Sequence, residues 1–162
     1  MKLSFLTSCM DRCHNLKKTY LHNINNSLPS DGVGVEFVLL NYNSSDDLDE
    51  WVRRELVDLP VEFKYVKTNV PKYFHMSKTK NILGKSATGD ILCWLDADNL
   101  TQPKFVEYVV DVFGGNVNSV LQVLWKPETS GMCGRVVCSK SDFLKIGGYN
   151  EEFSGWGYEE LD

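Results

Sequence analysis

Four strand-length apolar runs divide the first hundred residues: Lys2 to Thr7, Val35 to Leu40, Val61 to Val66, and Ile91 to Leu95. The second is nearly continuous in apolar character, as a strand buried on both faces of a parallel sheet must be. Parallel neighbours need a crossover between them, usually a helix, and helical patterns lie between the runs. About His14 to Leu28 carries Leu16, Tyr20, Ile24 and Leu28 four apart, and Asp46 to Leu56 reads as an acidic helix. A third helix runs from an N-cap at Ser77 to about Thr88, with Gly89 past its end. Pro29-Ser30-Asp31-Gly32 is a turn. Beyond residue 99 the pattern predicts a helix with Pro103 in its first turn, strands at Val120 to Trp125 and Arg135 to Cys138, and a short helix from Lys140 to Ile146 before Gly147-Gly148. This order predicts a single domain built on an open α/β sheet, which takes ligands beyond the carboxyl ends of its strands. No internal repeat, linker or low-complexity tract interrupts it.

The fourth run ends in Asp96-Ala97-Asp98-Asn99. In an extended backbone alternate residues project to one side, with Cα atoms roughly 7 Å apart. Asp96 and Asp98 can therefore face a common point. Two hard oxygen donors at the mouth of a sheet suit a divalent cation that also carries phosphate oxygens. The plainer alternative is two solvated acids in a surface loop.

Composition narrows the partners. A chain of 162 residues can bury a core without staples, and its net charge of −5 argues against general nucleic-acid binding. The amino terminus has one lysine and a short, interrupted apolar stretch, which reads as a first strand rather than a secretory signal. No run approaches the ~20 apolar residues of a membrane span. Of the cysteines Cys9, Cys13, Cys93, Cys133 and Cys138, three lie in apolar strand-like segments, so buried free thiols and a cytosolic location are expected. Cys9, Cys13 and His14 could begin a metal site, but no second cluster completes it. Sequons at Asn25, Asn43 and Asn99 carry little weight without a leader, and a glycan on Asn99 would crowd the two acids.

Charge is uneven. Between Glu62 and Asp90 there is no acid, but Lys64, Lys67, Lys72, Lys78, Lys80 and Lys85 are present. Cations leading into paired carboxylates suit a diphosphate, and Lys78 and Lys80 are the better candidates because they open the helix before the Asp96 strand. The others read as a solvated face. The last segment, Gly155-Trp156-Gly157-Tyr158-Glu159-Glu160-Leu161-Asp162, sets an aromatic between glycines and then crowds three acids together. Burying such a cluster is costly, so it is either a solvated tail or a working group. In the second case Trp156 is a platform for a sugar ring and an acid behind it accepts a hydroxyl proton.

These pieces carry a family resemblance. Leu3-Ser4-Phe5-Leu6-Thr7-Ser8 with Arg12, Ser77-Lys78-Thr79-Lys80-Asn81 with Ala87-Thr88-Gly89-Asp90, and Leu95-Asp96-Ala97-Asp98 stand in order. Cys133 to Lys140, Phe143 to Asn150 and Gly155-Trp156-Gly157 follow. The ordered set resembles family 2-type glycosyltransferases of the GT-A fold, and the last third is similar to the β-1,4-galactosyltransferase group. The resemblance implies a Rossmann-like, mixed but mostly parallel sheet flanked by helices. About 1–100 would form the nucleotide-binding half and about 101–162 the acceptor-side half, truncated at its C-terminus. It also implies a metal-dependent, inverting transfer of a sugar from a nucleotide-diphosphate donor, most often a UDP-sugar, to a hydroxyl of a glycan-type acceptor.

Roles follow at the matching positions. Thr7 and Ser8 would touch base and ribose, Asp96 the ribose or the metal shell, and Asp98 would ligate Mn²⁺ or Mg²⁺. Arg12, Lys78 and Lys80 would face the donor, Gly134 would admit its sugar, and Trp156 would wall the donor–acceptor junction. Glu160 would be the base and Glu159 would orient the acceptor. Two positions depart from the pattern: Asn41 stands where an acid usually binds uracil, and Glu160 stands where Asp is usual. Two other readings use the same residues. One is a non-catalytic nucleotide-sugar or glycan-binding module of this fold. The other is an aspartyl-nucleophile phosphatase attacking through Asp96, which does not explain the Trp156 block and usually has Thr or Val where Leu100 stands.

Overall fold

The computed structural model describes residues 1–29, 32–115, 118–123 and 134–153. Six strands and five helices follow one another: β1 Lys2–Cys9, α1 Cys13–Asn25, β2 Gly34–Tyr42, α2 Leu48–Glu55, β3 Glu62–Thr68, α3 Met76–Ser86, β4 Ile91–Trp94, α4 Phe105–Gly115, β5 Val120–Gln122, β6 Val136–Ser139 and α5 Lys140–Lys145. They form one sheet in the order β3-β2-β1-β4-β6-β5. β1, β2, β3 and β4 are mutually parallel, whereas β6 runs antiparallel to both β4 and β5. The α/β sheet expected from the four apolar runs is present, and it is mixed.

Strand alternation sorts the apolar side chains into two layers. Leu3, Phe5, Phe37, Leu39 and Cys93 pack with Leu16, Tyr20 and Ile24 of α1 and with Val106, Val109 and Phe113 of α4. Leu6, Val38, Leu40, Leu92 and Trp94 pack on the other face with Leu83 of α3 and Phe143 of α5. The first layer is built around aromatic rings, with Phe5 stacked on Phe37 at 4.7 Å and Tyr20 edge-on to Phe37, Trp51 and Phe63.

Two local expectations need correction. Ser77 is not the cap of α3: His75 is, its Nδ1 accepting from the Lys78 amide, while the Ser77 hydroxyl is buried without a partner among the described residues. The chain reaches the helix through the extended residue at 75, so the cap falls two positions earlier. Pro103 lies ahead of α4 rather than in its first turn. Residues 30 and 31 of the turn after α1, and residues 124 and 125 at the end of the fifth strand, lie outside the described residues.

The chain first adds β2 on one side of β1 and later places β4 on the other. The loops leaving the carboxyl ends of β1 and β4 therefore diverge, and a crevice opens between them. Open α/β sheets bind ligands at such a switch point.

At the opposite, amino-terminal edge sits a buried carboxylate. Glu36 of β2 is 3% exposed and accepts from Ser4 Oγ (2.5 Å), the Thr88 amide (2.5 Å), Thr88 Oγ1 (2.7 Å) and the Gly89 amide (3.1 Å), with Lys2 Nζ at 3.5 Å. Burial alone would raise its pKa; the four hydrogen bonds outweigh burial and hold it at about 2. Gly89 is required here by space, because a Cβ would collide with Ser4 Oγ and lie 2.8 Å from the Lys2 carbonyl oxygen.

Candidate active site

The crevice at the switch point is an open cleft of about 260 Å³. Ser8, Met10 and Arg12 line it from the end of β1, and Asp96, Ala97 and Asp98 from the end of β4. Phe74 and Met76, just ahead of and opening α3, add an apolar wall. The register explains the meeting: Leu6 pairs with Trp94, and the Leu95 amide donates to the Leu6 carbonyl at 2.9 Å, so Ser8 comes level with Asp96.

Asp96 and Asp98 do converge, but not by strand alternation. β4 ends at Trp94, and residues 96–99 form a turn closed by the Asn99 amide on the Asp96 carbonyl at 3.1 Å. One side-chain amide then joins the two acids: Asn99 Nδ2 donates to Asp98 Oδ1 at 3.1 Å and to Asp96 Oδ2 at 3.4 Å. A turn aims both carboxylates out of the sheet edge, where a strand would have pressed both against one layer.

Arg12 reaches the acids from the β1–α1 connection, its Nη1 lying 3.6 Å from Asp98 Oδ2. That connection is pinned to the loop after β2. Asp11 adopts φ 58° and accepts from the Ser45 amide and hydroxyl, while the Cys13 amide donates to Asp46 at 2.8 Å. Both members of the Arg12–Asp98 pair are half-exposed, so the contact contributes little to stability. Its consequence is electrostatic, a guanidinium beside two carboxylates in one cleft.

Gly134 approaches from the residues leading into β6: a Cβ there would meet Asp96 Oδ2 at 2.7 Å. The absence of a side chain lets Asp96 keep its position.

The remaining sequence candidates are placed elsewhere. Thr7 is 2% exposed and points into a layer of the sheet, one residue before Ser8. Asn41 is buried and fully engaged, donating to Tyr65 Oη (2.9 Å) and Asp49 (3.1 Å) and accepting from the Ser44 amide (2.7 Å). Lys78 is exposed on α3, whereas Lys80 is buried with its ammonium 4.9 Å from the centre of the Tyr149 ring. None of these four lines the cleft. Trp156, Glu159 and Glu160 lie outside the described residues, as does Cys133. Tyr149, on the segment that leads towards them, is held to α3, its amide and carbonyl both bonded to the Asn81 side chain at 2.8 and 2.9 Å.

Cys9 and Cys13 are buried, which pushes their thiols up to about 11 and about 12, and His14 is exposed. Among the described residues no group of three or more His, Cys, Asp or Glu side chains assembles. Among the described residues the donor set at the cleft is two carboxylates, Asp96 and Asp98. It fits a hard divalent cation that takes its other ligands from phosphate oxygens and water.

Reading the sequence missed Asn99 as a bridge, seeing only a sequon. Asn99 is 6% exposed, so it is a buried polar residue of the turn. It also missed Arg135, 8% exposed, whose Nη2 donates to the Leu100 carbonyl at 3.0 Å and to Asn99 Oδ1 at 3.4 Å. The available signal was an arginine directly before an apolar strand.

Comparison with solved structures places this architecture. S. aureus TarS 1-349 superposes with a TM-score of 0.74 at 12% identity over 96% of this chain and 52% of that one. The fold is that of a GT-A glycosyltransferase. The mannosyltransferase PcManGT from Pyrobaculum calidifontis, in complex with GDP-Man and Mn²⁺, superposes at 0.72 with 15% identity over 93% of this chain and 48% of that one. TarS 1-349 in complex with UDP-GlcNAc gives 0.67 at 12% identity, over 94% of this chain and 50% of that one. The chain thus spans about half the length of these proteins. Residues 119–162 match a family described as the N-terminal domain of galactosyltransferase. Comparison with curated protein sequences yields no match. Among the described residues no helix is long and apolar enough to cross a membrane.

Proposed function

We propose that this chain forms the nucleotide-sugar site of a metal-dependent, inverting glycosyltransferase, acting in the cytosol on a hydroxyl of a glycan-type acceptor. The observation that carries the proposal is the convergence of Asp96 and Asp98, with Ser8 and Arg12, in one cleft at the switch point of the sheet. Relatives of this fold in complex with GDP-Man and Mn²⁺ and with UDP-GlcNAc support it, as does the match of residues 119–162. Buried thiols at Cys9, Cys13 and Cys93 suit a reducing compartment.

In this reading Asp98 and Asp96 hold Mn²⁺ or Mg²⁺, which when bound would stabilise the negative charge of the leaving diphosphate. Ser8 lies level with the ribose, and the wall of Met10, Phe74 and Met76 gives the base an apolar surface. Arg12 leaves Asp98 for a phosphate oxygen, which its guanidinium matches at least as well as a carboxylate. Lys78 and Lys80 supply further positive charge, and Gly134 leaves room for the donor sugar. The base must stand opposite the leaving group; Glu160 takes that role, with Glu159 orienting the acceptor and Trp156 walling the junction. Inversion follows from a single displacement with one base. A UDP-sugar is the donor we favour, although Asn41 is already engaged by Tyr65, Asp49 and Ser44.

The test is calorimetric titration of UDP and GDP, each with and without Mn²⁺, into the wild type and Asp98→Asn. Mn²⁺-dependent binding of one nucleotide should fall at least about tenfold in the variant with little change in the melting temperature, because the Asp98 side chain is half-exposed. Equal affinity in the two proteins overturns the metal assignment.

A further inference from the structure

Three polar residues on one face of α1 and its C-cap reach across to the turn that carries the two acids. Thr19 Oγ1 donates to the Ala97 carbonyl at 2.6 Å, Asn23 Nδ2 to the Asn99 carbonyl at 2.9 Å, and Asn26 Nδ2 to the Thr101 carbonyl at 2.9 Å. Asn23 Oδ1 also accepts from the Thr101 amide at 2.8 Å and its hydroxyl at 3.2 Å. Thr19, Asn23 and Thr101 are at most 7% exposed. The match is geometric. Positions 19, 23 and 26 are four and three apart, so they share one helical face, and the carbonyls of residues 97, 99 and 101 are turned towards it.

The other side of the turn is held by Arg135, which donates to the Leu100 carbonyl and to Asn99 Oδ1. A guanidinium only donates. It can face only the oxygen of the Asn99 amide, which turns the NH₂ outward onto Asp96 and Asp98. The carboxylates at the cleft thus take their direction from buried groups that never touch the cleft.

We infer that Thr19, Asn23 and Arg135 are positioning residues for the cation and diphosphate, acting through the backbone of residues 97–101 and the Asn99 amide. This inference rests on the assignment of Asp96 and Asp98 proposed above. Its consequence is that a silent change on α1, on the far side of the loop from any ligand, alters metal-dependent binding while leaving metal-free binding alone.

Thr19→Val tests it, since valine keeps the shape and removes the donor; Thr19→Ser restores the hydroxyl. Asn23 makes three separate contacts with the turn and its removal endangers folding, so Thr19 is the readable position. Two measurements are made on the same proteins: UDP affinity with and without Mn²⁺, and backbone hydrogen exchange over residues 97–101. Thr19→Val should lower UDP affinity in Mn²⁺ about 10–100-fold, the range for groups that orient metal ligands. It should leave affinity without Mn²⁺ unchanged and speed exchange over residues 97–101, and Thr19→Ser should reverse both effects. A loss equal with and without Mn²⁺, or no loss, overturns the positioning role. A wild type whose UDP affinity gains nothing from Mn²⁺ overturns the metal assignment instead. Exchange then judges the clamp by itself, and unchanged exchange in Thr19→Val overturns it too.

Discussion

Glu36→Gln separates folding from function in this chain. The carboxylate lies at the amino-terminal edge of the sheet, with Ser4, Thr88 and Gly89 donating to it and Lys2 beside it. It is away from the cleft, which opens at the carboxyl ends. Its pKa stands at about 2 against an ordinary 4.5. At 1.36 kcal/mol per pH unit this is worth about 3 kcal/mol. The sign is that of a depressed acid: the stabilisation is present in full above pH 4.5 and is lost as pH falls towards 2. Glutamine keeps the shape but has no charge for Lys2, and its NH₂ faces groups that donate. Urea unfolding at pH 7 should show the variant less stable by about 3 kcal/mol, or roughly 6–12 °C in melting temperature for a chain of this size. The gap should narrow steadily below pH 4.5, while metal-dependent nucleotide binding at pH 7 stays at the wild-type level. A gap that does not change with pH, or one below about 1 kcal/mol, would refute the account of Glu36 as a charged anchor.

Three further outcomes are expected. Gly134→Ala should weaken Mn²⁺-dependent UDP binding about tenfold or more, since the new Cβ would stand 2.7 Å from Asp96 Oδ2 and displace it; a crystal structure with Asp96 unmoved and calorimetry with affinity unchanged would contradict this. Lys80→Met keeps a buried unbranched side chain but removes the ammonium over the Tyr149 ring and should weaken UDP more than uridine; equal weakening would assign Lys80 to folding. Glu160→Gln should lower transfer by about 10²–10⁴ with donor affinity retained, and the wild-type product should have the inverted anomer by NMR. Wild-type turnover in that variant removes Glu160 as the base.

The periodic features were determined by the sequence alone. Val35 to Leu40 can be satisfied only between two layers, and the α1 pattern of Leu16, Tyr20 and Ile24 supplies one of them. Their alternation with helical patterns was enough for an open α/β sheet, with Asp96 and Asp98 beyond the end of the Ile91 strand. Asp96 and Asp98 were legible because they stand where the Ile91 strand ends, whereas Ser8 and Arg12 came only from the family resemblance; all four line the one cleft. Tertiary structure alone decided the rest. Asn41 looks like a free amide at a strand end, but Tyr65 and Asp49 come from β3 and α2 to engage it. Glu36 reads as a lapse in an apolar run until Thr88 and Gly89, 52 and 53 residues later, fold over it. Thr19 and Asn23 read as ordinary polar positions of a helix, because their partners are backbone carbonyls 78 and 76 residues away. Periodicity records which face of an element meets apolar surface. It does not record which backbone group from a distant loop will need a donor there, and that need is set only when the loop is brought against the helix.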